Sequence, residues 1–392
     1  MKKYIGFSLI IIAIVVVIIV MYINSPYSSQ TRSFSSYTLL TSSFQTYKSQ
    51  FINSDGRVID YSQDSITTSE GQSYALLRAV WVGDKPTFDL VWKFTKNDLQ
   101  HTSGDHLFSW RWGKLPNGSY GALPNGGSNS ATDADEDIAL ALILAGHRWG
   151  DETYINEAEQ IIPDIWKYET AVAVGKRYVI AGNWAASSNE LDIDPSYFAP
   201  YEYRIFAKID TQDDWNSLIA PGYQLLTDSG NAAFNTGHGV GLPPDWLTLQ
   251  KDNGTIKVAS IPNADSNYSF DAMRVPFRIA LYYMWNKDPV AKDYLVKNYT
   301  LLLDQYEKNN QLATNYTHDG SVINQNENPD MYATSIGYFM IADPQVAQDI
   351  YENKILKLYS NDNNSFNTDL GCYEQNWLWF GAAMYNNYLH TY

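Results

Sequence analysis

Apolar residues recur at helical spacing through most of the chain, in segments separated by polar, Gly- and Pro-rich stretches. The spacing predicts helices over 71–83, 85–99, 135–150, 151–170, 195–209, 213–227, 271–286, 288–309, 329–342, 343–355 and 372–389, with a possible bend at Pro163. Several are apolar nearly all round, as expected of helices buried on every side. Strand signals are few: 176–182 alternates weakly, and 251–260 reads as a hairpin about Asn253-Gly254. About a dozen helices in antiparallel pairs, with no fixed repeat length, predict an all-α toroid, an (α/α)6 barrel of six helical hairpins with a few short strands in its loops, rather than a solenoid.

The N-terminal pattern differs. Ile5 to Ile23 carries no charge and is close to the ~20 residues that span a bilayer. Lys2 and Lys3 precede it, so residues 1–4 are expected in the cytoplasm, 5–23 as a signal anchor and the remainder outside the cell. The run is long for a signal peptide and ends without an Ala-x-Ala site, so cleavage and secretion form the alternative. Residues 24–43 read as a polar tether, extended at first and merging into a helix near Ser43 to Phe51, with the folded domain over 44–392.

Composition narrows the chemistry. A net charge of −16 argues against a nucleic-acid partner. The single cysteine, Cys372, excludes an intramolecular disulfide. The cluster His101, Asp105, His106 matches no common zinc spacing, so no metal and no cofactor are expected. The 12 Trp and 30 Tyr suit a cleft that stacks on sugar rings.

Three apolar helices begin with a carboxylate: Glu70 in "ITTSEGQSYALL", Asp133 and Asp135 in "ATDADEDIALAL", and Asp271, one turn before Arg274, in "NYSFDAMRVPFR". An acid in a first turn is ordinarily a cap, here with Thr132 or Asp133 as N-cap of the second helix. But a helix too apolar for the surface must start inside something enclosed. If these helices open toward one side, their acids meet. Paired carboxylates with aromatic platforms are the minimal equipment for glycoside hydrolysis. Candidate platforms are Trp110, Trp112, Trp184, Tyr197, Tyr373 and Trp377.

With these segments in hand, the chain resembles glycoside hydrolase family 8, the cellulase D family. "ATDADEDIALALILAGHRW" is similar to that family's signature, and "SEGQSYAL", "DPSYFAP", "GLPPDW", "DAMRVPFR" and "QNWLWFG" resemble further family segments in the same order. The resemblance implies an (α/α)6 barrel and an inverting endo-mechanism on β-1,4-linked polysaccharide. Carried over by position, it implies Glu70 as general acid and Asp271 as general base, with Arg274 orienting Asp271. Asp133 or Asp135 would contact the sugar at the scissile bond, and Trp110 or Trp112, Trp184, Tyr197 and Tyr373 would line the subsites. An acid at position 271 favours the cellulase-like branch. Chitosanase or xylanase activity, or a non-catalytic glycan-binding subunit of an exopolysaccharide export system, is the alternative. The anchor suggests action on exopolysaccharide, with an exopolysaccharide synthesis complex as a candidate partner.

Overall fold

The computed structural model describes residues 26–259, 261, 265–360 and 362–391, with side chains from residue 36 onward. The expected anchor over 5–23 lies outside the described residues. Among the described residues no helix is long and apolar enough to cross a membrane.

Six helices form an inner ring: α2 (Ser69–Val82), α4 (Thr132–Trp149), α6 (Pro200–Ile209), α8 (Val275–Asn286), α11 (Pro329–Ala342) and α13 (Cys372–Tyr385). Each packs on the next in that order, and α13 returns to α2 to close it. Their outer partners are α1 (Pro26–Phe51), α3 (Lys85–Phe94), α5 (Glu152–Tyr168), α7 (Ile219–Asn231), α9 (Pro289–Asn298) with α10 (Thr300–Asn309), and α12 (Pro344–Ile350). The fold is the expected (α/α)6 barrel. The two rings differ as the pattern requires. In α4 every residue from Thr132 to Gly146 is buried. In α5 Ala158, Ile161, Ile162 and Ile165 turn inward while the opposite face is solvated.

Helix ends follow local chemistry. Thr68 caps α2, Asp84 caps α3 and Asp151 caps α5, each accepting from a first-turn amide. Gly83 and Gly150 end α2 and α4 in the left-handed conformation. The hairpin about Asn253-Gly254 forms between β2 (Leu247–Gln250) and β3 (Ile256–Val258), with Gly254 at φ +72°. β2 also pairs with β1 (Glu190–Ile193).

The chain departs from the sequence reading at several places. The span 288–309 is two helices broken at Tyr299, not one. Helix α5 continues across Pro163. Helix α1 starts at Pro26, where an extended tether was expected. Its Leu40, Phe44, Tyr47 and Phe51 recur at helical spacing and are buried, and the Leu40 carbonyl accepts from Trp379, so the barrel begins upstream of residue 44. Finally, neither Thr132 nor Asp133 caps α4. The cap is Ala131, while the Thr132 hydroxyl donates to the Ile180 carbonyl at 2.6 Å.

Candidate active site

The N-terminal ends of the inner helices deliver their polar residues to one mouth of the barrel. At its centre is Arg274, in the 3-10 turn Ala272–Arg274 that leads into α8. Its Nη1 donates to Glu70 Oε1 and to Asp133 Oδ2, both at 3.0 Å. Its Nη2 donates to Asp271 Oδ1 at 2.9 Å and Asp194 Oδ2 at 3.1 Å. Four carboxylates from four parts of the chain thus share one buried guanidinium. The planar fork makes this possible, because a point charge cannot address four acceptors from two fixed nitrogens.

The four are not equivalent. Asp133 and Asp194 are enclosed, whereas 26% of the Glu70 side chain and 38% of the Asp271 side chain stay exposed. Glu70 and Asp271 line a common cavity of about 310 Å³ with Tyr74, Phe270, Asp330, Tyr373 and Glu374. Burial pushes the Glu70 carboxyl up to about 7. Arg274 opposes that shift and Asp133 adds to it. Glu70 Oε1 accepts from Tyr74 at 2.7 Å as well as from Arg274, which leaves Oε2 to carry a proton. Asp271 Oδ2 accepts from the Trp246 indole at 2.9 Å, so each of its oxygens has a donor.

Asp245 builds the turn that presents Asp271. Its Oδ1 accepts from the amides of Ser269, Asp271 and Ala272 at 3.0, 3.2 and 2.7 Å. Burial, reinforced by Asp271, raises its carboxyl to about 6.

Helix geometry separates Asp133 from Asp135. Both lie inside the first turn of α4. Two residues then stand about 200° apart around the axis. Asp133 meets Arg274. Asp135 points away, accepts from the Phe108 amide at 3.2 Å and faces Glu169, where burial keeps it well above the usual carboxylate range. The expectation that both reach one cleft does not hold.

The aromatic candidates also separate. Tyr373 lines the Glu70–Asp271 cavity and donates to the Phe270 carbonyl at 2.9 Å. Tyr197 lies under Arg274, with the guanidinium 5.5 Å from its ring centre, and meets Trp246 edge-on. Trp184 is 40% exposed and stands 6.4 Å from Trp246. These rings make an aromatic wall running out from Asp271. Trp110 is half-buried, with its indole bonded to the Gly126 carbonyl and Arg111 over its ring. Its carbonyl accepts from the Ser69 amide beside Glu70. Trp112 is buried against Phe94, Tyr120 and Arg57, away from the acids. Trp377 is core, packed on Tyr74, Phe277 and Phe380. His101 and His106 do not form one cluster, since His101 pairs with Asp105 and His106 with Asp164.

Five residues of this mouth escaped the sequence reading: Asp194, Asp245, Trp246, Asp330 and Glu374. Asp245 and Trp246 lie in "GLPPDW" and Asp194 in "DPSYFAP", two quoted segments whose acids read as ordinary turn residues.

The profile of glycosyl hydrolases family 8 matches residues 19–377. Endoglucanase C of Ruminiclostridium cellulolyticum is 31% identical over 361 residues, 88% of this chain and 72% of that protein. Endoglucanase A of Acetivibrio thermocellus is 32% identical over 334 residues, 81% and 64% of the two chains. An endoglucanase of Cellulomonas uda is 32% identical over 60% of this chain. The alignments thus span 64% and 62% of the length of the last two relatives. Among solved structures, the endo-1,4-D-glucanase of Vibrio fischeri superposes with a TM-score of 0.70 at 27% identity, covering 88% of this chain and 94% of that one. A β-1,3-1,4-glucanase of Paenibacillus superposes at 0.73 with 21% identity, covering 92% and 94%, and shares the fold.

Proposed function

The chain belongs to glycosyl hydrolase family 8, and on that premise we propose that it is an inverting, endo-acting glycoside hydrolase that cleaves β-1,4-linked glucan. Glu70 is the general acid and Asp271 the general base. The observation that carries this reading is the pairing of the two carboxyls on opposite nitrogens of Arg274, at the wall of one cavity. An inverting pair stands ~6.5–9.5 Å apart to admit a water. Oxygens that grip the two ends of one guanidinium stay inside the upper limit of that range.

The roles follow from the surroundings. A Glu raised to about 7 by burial is still about half protonated in neutral solution, and its Oε2 proton goes to the glycosidic oxygen as the bond to the anomeric carbon breaks. Asp271, fixed by Arg274 and Trp246, takes a proton from water attacking the opposite face of the sugar. The products are a hemiacetal of inverted configuration and a new chain end. Asp133 is held on the same guanidinium and enclosed, so contact with the reacting sugar requires that it be uncovered on binding. Tyr373 and Trp184 supply stacking faces, while Tyr197 lies buried beneath Arg274.

The endoglucanases among its relatives support a cellulose-like substrate. The uncharged run Ile5–Ile23 behind Lys2 and Lys3 supports a catalytic domain held at the outer face of the cell membrane, acting on exopolysaccharide. Reducing-end release from cellulose, mixed-linkage glucan, xylan and chitosan, with Glu70→Gln as control, tests the activity. Equal release by wild type and variant removes Glu70 from the mechanism. Anomer-resolved NMR of the first product tests inversion, and retained configuration overturns it.

A further inference from the structure

Helix α11 also opens on an acid, Asp330, behind Pro329. The ordinary reading of such a residue is a cap, and the geometry removes it. Asn328 is the cap: its side chain accepts from the Asp330 amide at 2.7 Å and its carbonyl from Met331 at 3.2 Å. Both carboxyl oxygens of Asp330 lack any hydrogen-bond partner, although the residue is 0% exposed. A buried polar side chain without a partner is costly and needs a reason. The residue belongs to the wall of the cavity that holds Glu70, Asp271 and Tyr373, with Glu374 in the same wall. No Lys, Arg or His lines that cavity among the described residues.

We propose that Asp330 is a further substrate-binding residue, whose carboxyl meets a hydroxyl of an uncharged sugar unit seated in the cavity against Tyr373. The inference rests on the glucan reading above. Burial, and then the neighbouring Glu374, hold the Asp330 carboxyl well above the usual carboxylate range, which favours its protonated form. A protonated carboxyl offers one donor and free lone pairs, and a sugar hydroxyl offers the same set, so the two satisfy each other. The site therefore trades stability of the free protein for contact with substrate.

Binding of cellohexaose by calorimetry tests this, on the full chain carrying Glu70→Gln to prevent turnover. Adding Asp330→Leu or Asp330→Ala weakens binding by about 10-fold or more, because one buried hydrogen bond to the sugar is lost. Adding Asp330→Asn keeps it within about 3-fold, because the amide still donates and accepts. The unfolding midpoint of the Leu variant is no lower than that of its parent, since an unpaired buried polar group is gone. Unchanged affinity in the Leu and Ala variants shows that Asp330 does not touch the sugar. Loss in the Leu, Ala and Asn variants together, with lowered midpoints, assigns a structural role instead. Tighter binding of a glucosamine hexamer, abolished by Asp330→Asn, makes the position a cation site and overturns the hydroxyl assignment. Failure of the Glu70→Gln parent to bind cellohexaose defeats the glucan reading itself, and this inference with it.

Discussion

Two buried arginines one helical turn apart, Arg274 and Arg278, face two aspartates one turn apart on α4, Asp133 and Asp137. The chemistry of the two pairs is the same and their situations are opposite. Arg278 grips Asp137 through both nitrogens at 3.2 and 3.1 Å, takes Glu202 at 3.4 Å, and donates to the Tyr201 hydroxyl at 2.8 Å. Every member of that cluster is buried. Arg274 carries four carboxylates, two of which open onto the cavity. The lower pair joins α4, α6 and α8 inside the barrel. The upper one stands where those helices end and water can enter. Proton transfer needs access to a reacting group, so one turn of helix separates a structural tie from a site that can do chemistry.

The comparison can be broken at several points. The largest effect is expected from Glu70→Gln. Losing the proton donor should lower kcat by about 10³-fold or more at unchanged fold, because general acid catalysis contributes up to about 10⁴. A variant that retains a tenth of wild-type kcat would remove Glu70 from the acid role.

Next is Arg278→Met. Deleting one partner of a buried pair leaves Asp137 and Glu202 uncompensated, and should cost about 3–5 kcal/mol in a denaturant melt. The variant's remaining folded fraction should keep the wild-type pH profile. A melt within error of wild type would deny the lower cluster its structural role.

Arg274→Lys then probes the upper cluster. The charge is kept, but three rotatable donors on one nitrogen cannot reproduce the fork that holds Glu70 and Asp271 apart. Misplacing either by about 1 Å should cost roughly 10²-fold in kcat. The companion Arg278→Lys should leave kcat nearly intact. Equal kcat losses in the two lysine variants would erase the distinction drawn between the clusters.

The same contrast explains what could be read in the sequence. Helices apolar on all sides were legible because burial shows directly in composition, and the alternation of such helices with amphipathic ones predicts the two rings. Glu70, Asp133, Asp271 and Arg274 were legible because a charged residue opening a fully apolar helix has nowhere else to go. Asp194, Asp245 and Asp330 sit next to proline or in turns, where an acid already has a local explanation. Asp245 indeed satisfies three amides while also serving the site. Asp330 has no such partner, and only its unpaired oxygens reveal that. Trp112 and Asp135 misled for a geometric reason. Nearness in sequence to Trp110 and Asp133 says nothing of direction: residues two apart on a helix stand about 200° apart, and Trp110 lies just outside the short strand Arg111–Lys114 that carries Trp112.

The finest distinction concerns Tyr74, which reaches Glu70 from one turn along α2 and does not touch Asp271. Its hydroxyl donates to Glu70 Oε1, and a bond to the carboxylate favours the ionised form. Burial has raised Glu70 to about 7, and the tyrosine works against that rise. The acid functions while protonated, so activity is present below that value and is lost as pH climbs through it. Tyr74→Phe removes the donor, and Glu70 should titrate higher. The alkaline limb of kcat/KM should then move up by about 0.5–1 pH unit, the equivalent of one modest hydrogen bond. Trp246→Phe removes a donor from Asp271 instead and should leave the alkaline limb in place. A limb that stays fixed in Tyr74→Phe, or moves down, would mean that a group other than Glu70 sets it.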